Sequence, residues 1–365
     1  MNIAAILSCL ESLAPLVYQE SYDNCGLLTG SSAWECTGVM VTLDTTEAVV
    51  LEAVRSKCNL IVSHHPIIFG GIKKINGKNY VEKAVIAAIK NDIAIYAIHT
   101  NLDNVIGGVS GKMAELLGLT NLKVLSPSPT GLKKLFVFIP TDHLEFVRDA
   151  IFKAGAGHIG NYSEAGFTTE GTGSFKAGKG AHPFVGEEGK RHYEKEFRFE
   201  AIFPSFLETS IIAAMVKAHP YEEVAYDILD LAGTNPSIGS GLIGDLPKPV
   251  DEKAFLGLVR ETFRSPVIRH TEFRNRPVKK CALCGGAGSF LIPKALAEGA
   301  DIFLTADLKY HEFFDAEDQL LIADIGHFES EQYTTDLLCD KIREKYPNFA
   351  VQKSAVVTNP VHYFF

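Results

Sequence analysis

The sequence predicts an α/β fold: a two-part α/β/α body interrupted by an inserted α+β unit of ferredoxin-like rhythm. Three observations carry this. Over residues 1–120, apolar β-branched runs alternate with helical patterns, as in a largely parallel sheet covered on both faces. At the breaker cluster SPSPTG, Ser126 to Gly131, the texture changes to strand–helix–strand twice over. After a second cluster, GTNPSIGSG at Gly233 to Gly241, the βαβ rhythm resumes and runs to the end. The expected boundaries are therefore 1–125 for the first part of the body, 126–235 for the insert and 236–365 for the second part.

The elements follow in order. MNIAAILSCLESLAP lacks the basic residues of a signal peptide and reads as an amphipathic first helix. Val39 to Leu43, Leu60 to Ser63 and Ile93 to Ile98 read as buried strands, with helices at Thr46 to Lys57 and Val81 to Asn91. Within the insert, strands are expected at Lys134 to Ile139, Glu196 to Phe203 and Ala225 to Leu229. Helices are expected there at Asp142 to Ala154 and Leu207 to Ala218, around a Gly-rich stretch from Gly155 to Gly189. The second part offers a helix at Asp251 to Phe263 and a strand at Val278 to Leu283. That strand ends in GGAG, read as a tight turn into a helix from Phe290 to Glu298. Strands at Asp301 to Thr305 and Leu320 to Asp324 precede a final helix, Glu329 to Lys345.

Composition narrows the function. Apolar residues at 46% and charged residues at 22% describe a folded globular chain. A formal charge of −9 argues against a nucleic-acid coat or a polybasic membrane binder. No apolar run reaches the roughly 20 residues of a membrane helix. The 7 cysteines are an odd, scattered set that does not form a disulfide framework. A cytoplasmic location is expected. Cys281 and Cys284, a single CxxC, read as core thiols, and the basic stretch Arg264 to Lys280 as a solvated face.

Chemistry concentrates at three strand ends. His64 and His65, followed by Pro66, come directly after LIVS. HTNLDN, His99 to Asn104, follows IAIYAI and offers Asp103 as an oxygen ligand with His99 beside it. GHFESE, Gly326 to Glu331, places His327 and Glu331 four apart, on one helix face. Singly, each has a structural explanation: loop histidines, an Asx turn at Asp103, or a helix-start acid at Glu331. Together they lie past the carboxyl ends of predicted parallel strands, where open α/β sheets place ligands. Three histidines, an aspartate and a glutamate suit Zn²⁺, Mn²⁺ or Fe²⁺ better than Ca²⁺. Five ligands exceed one open catalytic zinc site but fit two ions about 3.5–4 Å apart, with Glu331 as the shared carboxylate.

The same segments carry a family resemblance. HHP, TNLD and the C-terminal HFESE, with YDNCGLLTG at 22–30 and GADIFLTADLKYHEFFDA at 299–316, resemble the NIF3-like family, whose members are labelled GTP cyclohydrolase 1 type 2 homologues. The resemblance spans the whole chain and implies a dinuclear site at His64, His65, Asp103, His327 and Glu331. GAGHIGNYSEAGFTTEGTGSF and HPYEEVAYDILDLA are similar to the PII/CutA-like insert of longer members. Departures are mild: Tyr22 replaces a usual Trp, Cys25 precedes GLL, and Ala306 replaces a Gly ahead of Asp307.

The resemblance further implies a ring-shaped homohexamer with metal sites facing an internal cavity and the insert as a gate or sensor. Asp307, Lys309 and His311, with His99, are candidates to contact substrate or supply a general acid beside the metals. His219, Glu222 and Glu223 of HPYEE read as part of the insert's own fold and trimer contacts. Two functions are expected to compete. One is a metal-dependent hydrolase of a small nucleotide-like or phosphorylated substrate. The other is a non-enzymatic metal-handling or regulatory protein with the insert as sensor.

Overall fold

The computed structural model describes residues 1–128 and 131–364. The chain divides into two compact units, residues 1–127 with 236–365, and residues 128–235. Pro129 and Thr130 of the SPSPTG cluster lie outside the described residues. No helix among the described residues is long and apolar enough to cross a membrane.

The first unit holds two sheets. One has five strands in the order Gly26–Thr29, Ala94–Ala97, Leu60–Ser63, Val39–Thr42 and Val351–Lys353. The last four run parallel, while Gly26–Thr29 is an antiparallel edge. The three inner strands are buried along their whole length, which is why they read as continuous apolar runs rather than alternating ones. Their pleat divides the side chains. Val39, Val41, Leu60, Val62 and Tyr96 pack with the helix Ile3–Leu13, whereas Met40, Ile61 and Ile95 pack with the helices Glu47–Arg55 and Tyr80–Lys90. Thr46 and Asn79 cap those two helices, accepting from the N–H groups of Val49 and Glu82. Each such cap contributes about 1 kcal/mol.

The other sheet has six strands, in the order Arg269–His270, Leu321–Asp324, Ile302–Ala306, Val278–Ala287, Asn235–Val250 and Thr120–Ser128. The three strands from Leu321–Asp324 to Val278–Ala287 are parallel, and their neighbours on either side pair antiparallel. Phe255, Val259 and Phe263 of the helix Glu252–Phe263 pack on Cys281, Leu283 and Ile302. Burial of Cys281 and Cys284 pushes both thiols far up, in keeping with core thiols.

Several sequence expectations need correction. Much of GTNPSIGSG is strand, part of Asn235–Val250; at Gly241, φ is +66° and a Cβ would lie 2.7 Å from Leu291 Cδ1. Glycine there permits close approach rather than a loop. GGAG is likewise not a turn: the strand continues to Ala287, with a register shift after Leu283. The final helix is two, His327–Glu331 and Thr334–Lys345. Between them Gln332 donates to Phe263 O and Tyr333 to Thr262 O, each at 2.7 Å. Within the basic stretch, Arg274 is buried and pairs with Glu252 at 3.3 Å rather than facing solvent. The C-terminal strand Val351–Lys353 carried too short an apolar run to be read.

The second unit runs strand–helix–strand, strand–helix–strand. Its four-stranded sheet has the order Gly166–Lys176, Arg191–Pro204, Leu132–Pro140, Tyr226–Asp230, with every pairing antiparallel. Leu135, Val137, Phe199 and Phe203 form its core with Val147 and Ile151 of Leu144–Lys153 and Ile211 and Met215 of Glu208–Ala218.

Candidate metal centre

Three strand ends of the first unit deliver the site. His64 and His65 leave Leu60–Ser63, their N–H groups donating to Thr42 O and Leu43 O. His99 follows Ala94–Ala97 and opens the short helix Thr100–Asp103. His327 and Glu331 are the first and last residues of the five-residue helix after Leu321–Asp324.

The imidazoles are aimed by their Nδ1 atoms. His64 Nδ1 lies 2.8 Å from Ile98 O, and His65 Nδ1 lies 2.8 Å from Asp44 Oδ1. His99 Nδ1 lies 2.9 Å from Asp23 Oδ1, and His327 Nδ1 lies 2.6 Å from Asp307 Oδ2. An oxygen at Nδ1 makes that nitrogen the donor and leaves Nε2 to face inward, the arrangement that oxygen partners impose on metal-binding histidines.

The inward atoms converge. Glu331 Oε2 lies 3.0 Å from His65 Nε2, 3.1 Å from His327 Nε2 and 3.9 Å from His64 Nε2. His64 Nε2 is 3.7 Å from Asp103 Oδ1. Donor atoms lie within 4.8 Å of one another in two groups, His64 with His65 and His99, and His65 with His327 and Glu331. Three buried atoms, His64 Nε2, Asp103 Oδ1 and Glu331 Oε2, make no aligned hydrogen bond. Leaving such groups unsatisfied costs about 1–3 kcal/mol each, a debt that a bound cation removes. The donor set therefore fits a divalent metal.

Charge follows the same geometry. Burial drives His64 down to about 3, so its imidazole is neutral and ready to ligate. Burial would also lower His65 and His327, but their carboxylate partners prevail and raise them to about 10 and about 11. Burial works against ionised Glu331 as well, yet the close imidazoles of His327 and His65 hold it well below the usual carboxylate range. Asp103 goes the other way, pushed up by burial and by the charge of Glu331.

Without a cation, His65 and His327 thus carry the positive charge, both raised above 6.5, and a metal must expel their protons. Metal affinity is expected to rise with pH, by roughly one to two decades per unit between about pH 6 and 8. Competition titrations with a zinc-buffered chelator measure this, and a flat profile contradicts it.

Two cavities flank the cluster, of about 760 Å³ and about 460 Å³, and His99 and His327 line both. The larger adds His65, Phe69, Tyr80, Arg269 and Tyr363; the smaller adds Tyr22, Asp103, Ser240, Phe290 and Glu331.

The structure thus brings together His64, His65, Asp103, His327 and Glu331. It also sets His99 among the inner donors, its ring 5.3 Å and 5.2 Å from those of His64 and His65. Asp307 reaches the site by holding His327. Lys309 and His311 do not: both are exposed at the start of the turn Tyr310–Ala316, and neither lines either cavity.

Sequence reasoning missed Asp44, although it follows a parallel strand end as the ligands do. Asp23 lies within YDNCGLLTG without being singled out, and sequence reasoning found neither Thr358, which donates to Asp44 Oδ2 at 2.6 Å, nor Gly286. At Gly286 φ is +62° and a Cβ would stand 2.3 Å from Glu331 Oε1, so the glycine leaves the space that this carboxylate fills.

Two α/β sheets bring histidines and carboxylates from their strand ends into one cluster that could hold metal ions. The chain belongs to the Duf34/NIF3 (NGG1p interacting factor 3) family, whose model matches residues 1–360. It is 41% identical over 330 residues to the GTP cyclohydrolase 1 type 2 homolog of Bacillus subtilis (strain 168), covering 90% of this chain and 88% of that one. The Halalkalibacterium halodurans protein of the same name is 37% identical over 364 residues, 98% of each chain. Among solved structures, a Bacillus cereus protein related to NIF3 superposes with a TM-score of 0.86 at 38% identity, over 100% of this chain and 99% of that chain.

Proposed function

We propose that this protein binds two divalent metal ions per chain and uses them to hydrolyse a small nucleotide-like or phosphorylated molecule. The observation that carries this is the set of buried, unsatisfied atoms on His64, Asp103 and Glu331, placed opposite the inward Nε2 atoms of His65 and His327. His64 and Asp103 would hold one ion, His65 and His327 the other, and Glu331 both. When bound, such a pair acidifies a shared water from about 15.7 toward 7.

The chain's own residues supply the rest. Asp44, Asp307 and Asp23 fix the rings of His65, His327 and His99. His99 faces both cavities, so its Nε2 can hold or deliver a proton to a leaving atom in either. Phe69 and Tyr80 offer apolar faces to a planar group, and Arg269, paired with Asp324, brings positive charge near an anionic one. The cyclohydrolase name of the relatives agrees with attack of water on an electrophilic carbon, and a phosphate ester is the other substrate within this class.

We further propose that the second unit is a ferredoxin-like insert of the PII/CutA kind, a reading that its element order and antiparallel strand order support. A cytoplasmic homohexameric ring enclosing the sites remains part of the proposal.

The test is turnover by metal-loaded protein on GTP, phosphomonoesters and phosphodiesters. Saturable turnover that a His99→Gln variant lowers by roughly a hundredfold while retaining its metal is expected. Metal that passes rapidly to a competing chelator, with no turnover of any substrate, would overturn the hydrolase and favour metal handling.

A further inference from the structure

The second unit contains a cavity of about 380 Å³ that plays no part in the metal centre. Phe138, Phe175, Phe184 and Tyr221 are among its walls, and Glu196, Glu222 and Glu223 line it as well. Three of these rings form a connected set, with Tyr221 6.3 Å from Phe175 and 6.2 Å from Phe184. Glu222 ties the segment over the cavity to HPYEE by accepting the His182 N–H at 2.9 Å.

Glu196 is the informative group. It is only 8% exposed, and its Oε1 accepts the Tyr221 hydroxyl at 2.9 Å. Carboxylates two and four residues along the same strand each have a basic side chain beside them: Glu194 meets His192 at 2.8 Å, and Glu200 meets Lys134 and Arg198 at 2.5 Å. Glu196 forms no ion pair with a lysine, arginine or histidine among the described residues. Gly173, across the hairpin, makes room for it, since a Cβ there would stand 2.0 Å from Glu196 Oε2. A buried carboxylate without a counter-charge is costly, and aromatic walls add attraction for a cation through their ring faces.

We propose that this cavity is a second ligand site, taking a small organic cation of the alkylammonium or amidinium class. The carboxylate of Glu196 meets the charge while the rings of Phe175, Phe184 and Tyr221 cover its apolar part. The volume lies within the range of small-molecule sites. The site is independent of the metal reading, because none of its residues belongs to that centre.

Isothermal titration of the full chain with choline and with benzamidine tests it, against their neutral counterparts 3,3-dimethyl-1-butanol and benzamide. At least one cation is expected to bind roughly tenfold or more tightly than its neutral counterpart. Glu196→Gln, which keeps an oxygen for Tyr221, is expected to remove that preference, and Phe184→Leu to weaken cation binding several-fold. Binding unchanged in Glu331→Ala places the cation away from the acidic metal centre. Equal affinity for cation and neutral counterpart, loss of binding in Glu331→Ala, or no heat with either cation up to millimolar concentration would each overturn the proposal.

Discussion

Replacing Glu331 with alanine is expected to lower the bound metal from about two ions per chain to well below one. Glu331 Oε2 is the point on which three imidazoles converge, so its loss removes the anion from both halves of the cluster. Elemental analysis after dialysis reads the effect. The consequence for stability depends on the metal. In the metal-free variant, His65 and His327 keep Asp44 and Asp307 but lose the further pairing with Glu331, so near neutral pH the metal-free variant should melt below the metal-free native protein. Metal at about a thousand times its dissociation constant should stabilise the native protein by roughly 4 kcal/mol. For a chain of 365 residues that corresponds to about 5 °C in melting temperature, and the variant should show no such rise. A variant that keeps two ions, or that melts higher with metal as the native protein does, would mean that Glu331 does not bridge them.

Gly286→Ala is expected to produce nearly as large an effect without touching a ligand. The added methyl would stand 2.3 Å from Glu331 Oε1, on a backbone with φ of +62°. Either the strand or the carboxylate must move. A displaced Glu331 should weaken metal binding by roughly ten- to a hundredfold, the range seen when the partners of metal ligands are altered. The left-handed backbone adds about 1–3 kcal/mol of destabilisation. Gly257→Ala is the control, because that glycine is helical with nothing within 4 Å of its Cβ position. It should stabilise by about 0.5–1 kcal/mol and leave metal binding alone. Equal metal affinity in the two variants would show that Gly286 is not needed to seat Glu331.

Much of this arrangement is legible in the sequence because it depends on local pattern. Continuous apolar runs mark the buried parallel strands Val39–Thr42, Leu60–Ser63 and Ala94–Ala97, and the donor residues follow strand ends directly. What escapes depends on distance along the chain. Thr358 holds Asp44 from 314 positions away, and nothing in its neighbourhood announces that. Gly286 reads as a turn residue because its partner, Glu331, comes from a different strand end. GTNPSIGSG reads as a loop for the same reason, its glycine at 241 answering to Leu291 rather than to its neighbours. Lys309 and His311 err in the opposite direction. Their position after Ile302–Ala306 resembles that of the ligands, but the chain turns at Asp307, where φ is +56°, and they stay exposed at the start of the next turn.

Anomalous scattering from crystals grown with manganese or zinc tests the central claim most directly. Two peaks about 3.5–4 Å apart are expected between His64, His65, Asp103, His327 and Glu331, with Glu331 touching both. No peak within that cluster, while these side chains are well ordered, would contradict it.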